Sequence, residues 1–203
     1  MNLGIHSLRV DEPAEGRAKL DVTLSTGKAL TLFAASYQAP AAWVAKGGLF
    51  WGVPHLWVRT LEDDAVQDAV TAMASDLSGY WLSYCARAAR ERPDETPAPV
   101  KVPLVELGDK EQGSAVVHAT LGDGREFSIL ACTPAWFQQA FEKAELPYYW
   151  GPSILFLGKL EKALAKRAAE EMGRKGDRWL CLYDTPRMTL SRVLADFKTR
   201  RGL

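Results

Sequence analysis

Leu20-Asp21-Val22-Thr23-Leu24-Ser25-Thr26-Gly27-Lys28 has a counterpart 97 residues later, Val117-His118-Ala119-Thr120-Leu121-Gly122-Asp123-Gly124-Arg125. In each stretch apolar residues alternate with polar ones and then give way to a glycine turn. That is the pattern of a half-buried strand running into a hairpin, and Asp-Gly is a strong hairpin signal because both central positions tolerate positive φ. The same register carries Ile5 onto Val102, Val10 onto Leu107 and Gly16 onto Gly113. After a two-residue insertion the offset becomes 99, and Trp51-Gly52 meets Trp150-Gly151. Leu56, Leu61, Glu62, Ala69 and Met73 then fall on Leu155, Leu160, Glu161, Ala168 and Met172. After a one-residue deletion, Trp81-Leu82 falls on Trp179-Leu180. Identities are sparse, but they stay collinear on glycine turns, apolar periods and tryptophans, which is the mark of a degenerate duplication.

Each copy opens with two alternating segments, Ile5 to Val10 and Lys19 to Leu24 in the first, followed by the turn and a third strand, Ala29 to Ala34. Ser36 and Thr133 stand at equivalent places as N-caps, and Pro134 takes the first helical position in the second copy. Gly47-Gly48 stops the short helix in one copy and Pro147 in the other. A strand is expected over His55 to Thr60 or Ser153 to Leu157. A helix follows, with Leu61, Ala65, Val66, Ala69, Val70 and Met73 at helical spacing, matched by Leu160, Leu164, Ala168 and Met172. A final strand is expected around Trp81 or Trp179.

The order β-β-β-α-β-α-β, twice, predicts an α+β fold of two tandem related units, each with helices on one face of a largely antiparallel sheet. The units span residues 1–88 and 100–184. A proline-rich charged linker covers 89–99, and a C-terminal helix occupies 185–203. That helix carries Leu190, Val193, Leu194 and Phe197 on one stripe and is expected to cover a sheet edge or mediate dimerisation.

The 203 residues are 47% hydrophobic, 10% aromatic and 25% charged, with no net charge. That excludes wholesale disorder, collagen-like and coiled-coil chains, and a strongly nucleic-acid-binding composition. The balance is uneven along the chain. Residues 1–99 hold 9 Lys+Arg against 12 Asp+Glu, and the remainder holds 16 against 13. Two readings stand: solvated helix faces, or units that attract one another or an acidic partner.

The N-terminus shows no basic region followed by an apolar run, so no secretory signal is expected. No apolar run approaches the roughly 20 residues of a membrane-spanning helix. Cys85, Cys132 and Cys181 are odd in number and lack C-x-x-C spacing, which favours buried free thiols and a cytoplasmic protein. No phosphate-loop, dinucleotide, zinc-protease or nucleophile-elbow motif occurs, and neither a cofactor nor a metal is expected.

The best polar constellation is His55, Trp57 and Arg59, which strand alternation places on one face. An imidazole, an indole and a guanidinium together suit recognition of an anion. The second copy has Ile154, Phe156 and Gly158 there, so the polar face is either a site kept in one copy or drift after duplication. Trp57, Arg59, Trp136, Tyr148 and Tyr149 are candidate partner anchors, because aromatics and arginine dominate interface hot spots. The turn Leu146-Pro147-Tyr148-Tyr149-Trp150 is the most conspicuous exposed aromatic cluster. The leading expectation is a cytosolic, non-enzymatic protein-interaction protein, of the type of a bacterial immunity or inhibitor protein that occludes a toxin or enzyme. Its partner would be another protein, with a homodimer as one form and neither nucleic acid nor membrane expected. The alternative is a small enzyme acting on an anionic or phosphodiester substrate, with His55 as acid/base and Arg59 as clamp.

Overall fold

The computed structural model describes residues 3–90, 98–185 and 189–202. In chain order it contains β1 (Ile5–Val10), β2 (Arg17–Leu24), β3 (Ala29–Ser36), α1 (Ala39–Ala45), β4 (Leu49–Phe50), β5 (Leu56–Val58), α2 (Asp63–Ser75), a short turn Asp76–Gly79 and α3 (Tyr80–Arg90). Then come β6 (Leu104–Glu111), β7 (Ser114–Thr120), β8 (Glu126–Cys132), α4 (Pro134–Ala144), β9 (Tyr148–Tyr149), β10 (Ile154–Leu157), α5 (Lys162–Arg174), α6 (Asp177–Tyr183) and α7 (Leu190–Arg201). The fold is α+β, and the two halves run through the same order of elements. Ala89 and Arg90 close α3; residues 91–97 of the expected linker lie outside the described residues.

Two sheets of five strands form, ordered β1-β2-β3-β5-β9 and β4-β10-β8-β7-β6. Each is antiparallel except for one parallel pair, β3 with β5 and β8 with β10. One edge strand of each sheet, β9 in the first and β4 in the second, comes from the opposite half of the chain. Tyr149 and Tyr148 pair with Trp57 and Val58, while Phe50 and Leu49 pair with Phe156 and Leu157. The backbone N–H of Arg59 donates to Pro147 O at 3.1 Å, and that of Gly158 donates to Gly48 O at 2.8 Å. Every one of these pairs maps onto the other under the offset of 99. The compact units are consequently discontinuous: Met1–Ala39, Val53–Arg92 and Leu146–Gly151 make one, and Pro40–Gly52, Pro93–Glu145 and Pro152–Leu203 make the other. A strand left at an edge exposes unsatisfied N–H and C=O groups, and each borrowed dipeptide covers part of one.

In the first unit, Leu20, Val22, Leu24, Leu30, Leu32 and Ala34 alternate onto one buried face. Helices α2 and α3 lie against β1 and β3, with Val66, Ala69, Val70, Met73, Leu82 and Cys85 buried. In the second unit, Val117, Ala119, Ile129, Ala131, Leu155 and Leu157 form one core with Ala165, Ala168, Met172, Leu180 and Tyr183 of α5 and α6. Residues of opposite parity there, Val116, Leu130 and Phe156, are equally buried. Phe156 meets Phe137 of α4 edge-on at 4.9 Å, and α7 packs against β8. The second sheet therefore carries helices on both faces. Its C-terminal helix covers a sheet face through Leu190, Val193, Leu194 and Phe197, not an edge.

Two local expectations are corrected. The strands expected around Trp81 and Trp179 are both helices, α3 and α6; in α3, Leu82, Cys85, Ala86 and Ala89 recur at helical spacing in an alanine-rich segment. Tyr80, Trp81 and Tyr84 are residue types with a sheet preference, which the helical spacing of their neighbours overrides here. Ser36 is the last residue of β3, since Tyr37 and Gln38 intervene before the helix; Thr133 does cap α4, its Oγ1 accepting from Trp136 N–H at 3.3 Å.

The glycine correspondences share one geometry. Gly16 and Gly113 both have positive φ, 74° and 83°, and their carbonyls accept from Ser36 and Thr133 N–H at 2.9 and 2.8 Å. A Cβ on Gly113 would lie 2.5 Å from Trp136 Cβ. Gly113→Ala should therefore cost about 2–4 kcal/mol, the sum of a left-handed penalty and an overlap that α4 must relieve. Urea denaturation checks it, and a loss below about 1 kcal/mol would show that α4 yields easily.

Candidate functional site

On the face of the first sheet opposite its helices, the β2–β3–β5 register places Arg17, Ala35 and Trp57 in one row. The Arg17 guanidinium lies over the Phe33 ring at 5.0 Å, Phe33 is 6.2 Å from His55, and His55 is 5.3 Å from Trp57. His55 is only 5% exposed. Burial, with Arg17 adding to it, pulls its pKa down to about 3, so the imidazole is neutral at neutral pH. The expected trio is not one cluster. His55 and Trp57 are adjacent and buried, but β5 ends at Val58 and Arg59 lies beyond it, exposed. Arg59 acts on Tyr37, whose phenol burial pushes up while the guanidinium partly offsets it. Tyr37 Oη donates to Leu146 O at 3.2 Å. Arg17, the cation that His55 does feel, was legible only through the hairpin register set by Gly27.

The aromatic turn is also placed differently from expectation. Tyr149 and Trp150 are buried, because 148–149 is a strand. Trp150 Nε1 donates to Asp76 Oδ2 at 2.8 Å, and its ring stacks on Tyr148 at 5.2 Å. Tyr148 and Trp136 are half-buried. In the second sheet, Glu106, His118 and Ser128 form a row across three strands, with Ser128 Oγ 3.3 Å from His118 Nδ1. His118 Nε2 is turned over Gly108. Among the described residues no three metal-ligating side chains gather. Burial raises the Cys85 thiol to about 12 and holds Cys132 well up, so both are protonated structural groups; Cys181, though exposed, is also shifted up.

The feature that sequence inspection missed lies at the start of α3. After the buried Asp76, Leu77 (φ 45°), Ser78 (φ 55°) and Gly79 (φ 78°) are all left-handed. For Leu and Ser that conformation costs roughly 1–2 kcal/mol each. It is held in place by Asp76, anchored to Trp150, and by Leu3, whose Cδ1 occupies the space a Cβ on Gly79 would need. The turn leaves Leu77 56% and Tyr80 54% exposed. Beside it runs a groove of about 510 Å³ whose lining includes Lys28, Tyr80, Ser83, Tyr84 and Arg87. The Tyr80 and Tyr84 rings are nearly parallel, 19° apart at 6.2 Å, and Trp81 stands edge-on to both. Strained backbone held by its surroundings at an exposed apolar surface is where binding sites concentrate.

No protein-family model matches this chain, and no curated protein resembles it significantly. Among the described residues, no helix is long and apolar enough to cross a membrane.

Proposed function

We propose that this is a protein-interaction protein that docks its partner on the left-handed turn Leu77–Gly79 and the aromatic start of α3. The observation that carries the proposal is the pairing of backbone strain with exposure. Two large apolar side chains face solvent on a segment whose conformation is fixed in advance, which lowers the ordering cost of binding. A cytoplasmic immunity or inhibitor protein, occluding a toxin or enzyme with this surface, is the concrete form we favour. The enzymatic alternative at His55 is weaker, because a general base works best with a pKa near the operating pH, and this imidazole is held far below it.

A photo-crosslinking amino acid in place of Tyr80, in the native host, should yield one discrete protein adduct identifiable by mass spectrometry. The same amino acid in place of the exposed Glu170 on α5 should not. Leu77→Asp should reduce the adduct roughly tenfold or more, as loss of an apolar anchor does. Equal labelling from both positions, or no adduct from position 80, would remove this surface from consideration.

A further inference from the structure

The two copies treat one equivalent cation in opposite ways. Lys28 follows the first hairpin turn, and Arg125 follows the second at the offset of 97. Arg125 is closed by carboxylates of its own unit. Its Nε lies 2.8 Å from Asp123 Oδ2 and its Nη1 lies 2.7 Å from Asp177 Oδ2 at the start of α6. The corresponding positions in the first unit are Thr26 and Gly79, which carry no acid. Lys28 and Arg87 instead line the groove beside Tyr80, and among the described residues no acidic residue lines it. Among the described residues, neither forms an ion pair.

Resting on the docking surface above, we infer that this groove is a carboxylate clamp for an acidic segment of the protein partner. Lys28 and Arg87 take its carboxylates, and the flat faces of Tyr80 and Tyr84 take the apolar side chains between them. The second unit supplies the template: a cation after the same turn, satisfied by carboxylates on the turn and at the start of α6. In the first unit those two carboxylates are missing, and the partner provides them. Arginine suits the bidentate geometry of a carboxylate, and Lys28 acts as a point charge.

The probe is a capped hexapeptide alternating glutamate and leucine, titrated into the isotopically labelled full chain and followed by amide NMR. Shifts should localise to Lys28 and to Tyr80 through Arg87. Lys28→Glu or Arg87→Glu should weaken binding roughly tenfold, as should the glutamine version of the peptide. Both side chains are exposed, so the variants should keep the wild-type amide spectrum elsewhere. Thr26→Asp gives an independent check, because it installs the carboxylate that the second unit has and should block the peptide from within. Shifts that ignore charge reversal would overturn the clamp, as would no shifts at millimolar peptide. Inorganic phosphate or a nucleoside monophosphate moving the same amides at lower concentration would make the groove a small-anion site instead. If crosslinking from position 80 captures a partner whose binding is unchanged by Arg87→Glu, docking stands and the clamp fails. If the peptide binds and no partner is captured, the docking proposal fails.

Discussion

Replacing Trp150 with alanine is expected to destabilise the protein by about 3–5 kcal/mol, the range for removing a fully buried large aromatic. The indole has no exposed surface, stacks on Tyr148, and donates to Asp76 at 2.8 Å. Asp76 in turn leads into the left-handed turn that presents Leu77 and Tyr80. The melting temperature should fall by on the order of 10 °C for a chain of this size. Trp150→Phe should retain most of the packing and lose about 1–3 kcal/mol through the unmatched carboxylate. The equivalent Trp51 is half-buried and donates to Glu171 at 3.3 Å, so Trp51→Ala should cost less. Matched urea titrations of the three variants decide the matter, and a Trp150→Ala loss below about 1 kcal/mol would contradict the packing described.

Replacing His55 with leucine is expected to flatten the acid limb of the stability profile. Burial and Arg17 hold the folded imidazole at about 3, against an ordinary value of 6.5. Between those values the unfolded chain binds a proton that the folded chain does not, so stability falls as the pH is lowered through this window. Above 6.5 both states are neutral there and the contribution is constant. At pH 4 wild type should have lost about 3 kcal/mol through this one group, and His55→Leu should retain it. Superimposable differences between the two proteins from pH 7 to pH 4 would show that His55 protonates freely in the folded state. The same variant should leave Tyr80 crosslinking intact, which separates the buried imidazole from the docking surface.

The candidate site was only partly legible. Trp57, Arg59, Trp136, Tyr148 and Tyr149 were singled out for residue type, yet burial divides them. Trp57 and Tyr149 are enclosed by β-pairing between segments more than ninety residues apart, and no local pattern announces such pairing. Arg59 remains exposed. The groove beside Tyr80 was hidden by the strand reading of Trp81. Aromatic residues signal sheet and helix alike, and only the spacing of Leu82, Cys85, Ala86 and Ala89 separates the two. The left-handed Leu77 and Ser78 had no signal at all, since neither residue type favours positive φ.

What the sequence determined by itself is local chemistry, legible in both halves of the chain. The glycines at 16, 27, 113 and 124 sit where a positive φ turns the chain, and alternation fixes which side of each long strand is buried. Helical spacing in α2 and α5 sets the stripes that cover the sheets. These depend on neighbours within a few residues, so they can be read along one dimension. Tertiary structure alone decided that residues 49–50 and 148–149 complete the sheets of the opposite halves, because a dipeptide strand has no period to read and exists only where an open edge accepts it. It also brought a distant carboxylate to Arg125. Arg125 is paired partly through Asp123, which is adjacent on the turn and readable in the sequence, and partly through Asp177, which lies 52 residues away and comes within about 3 Å only on folding.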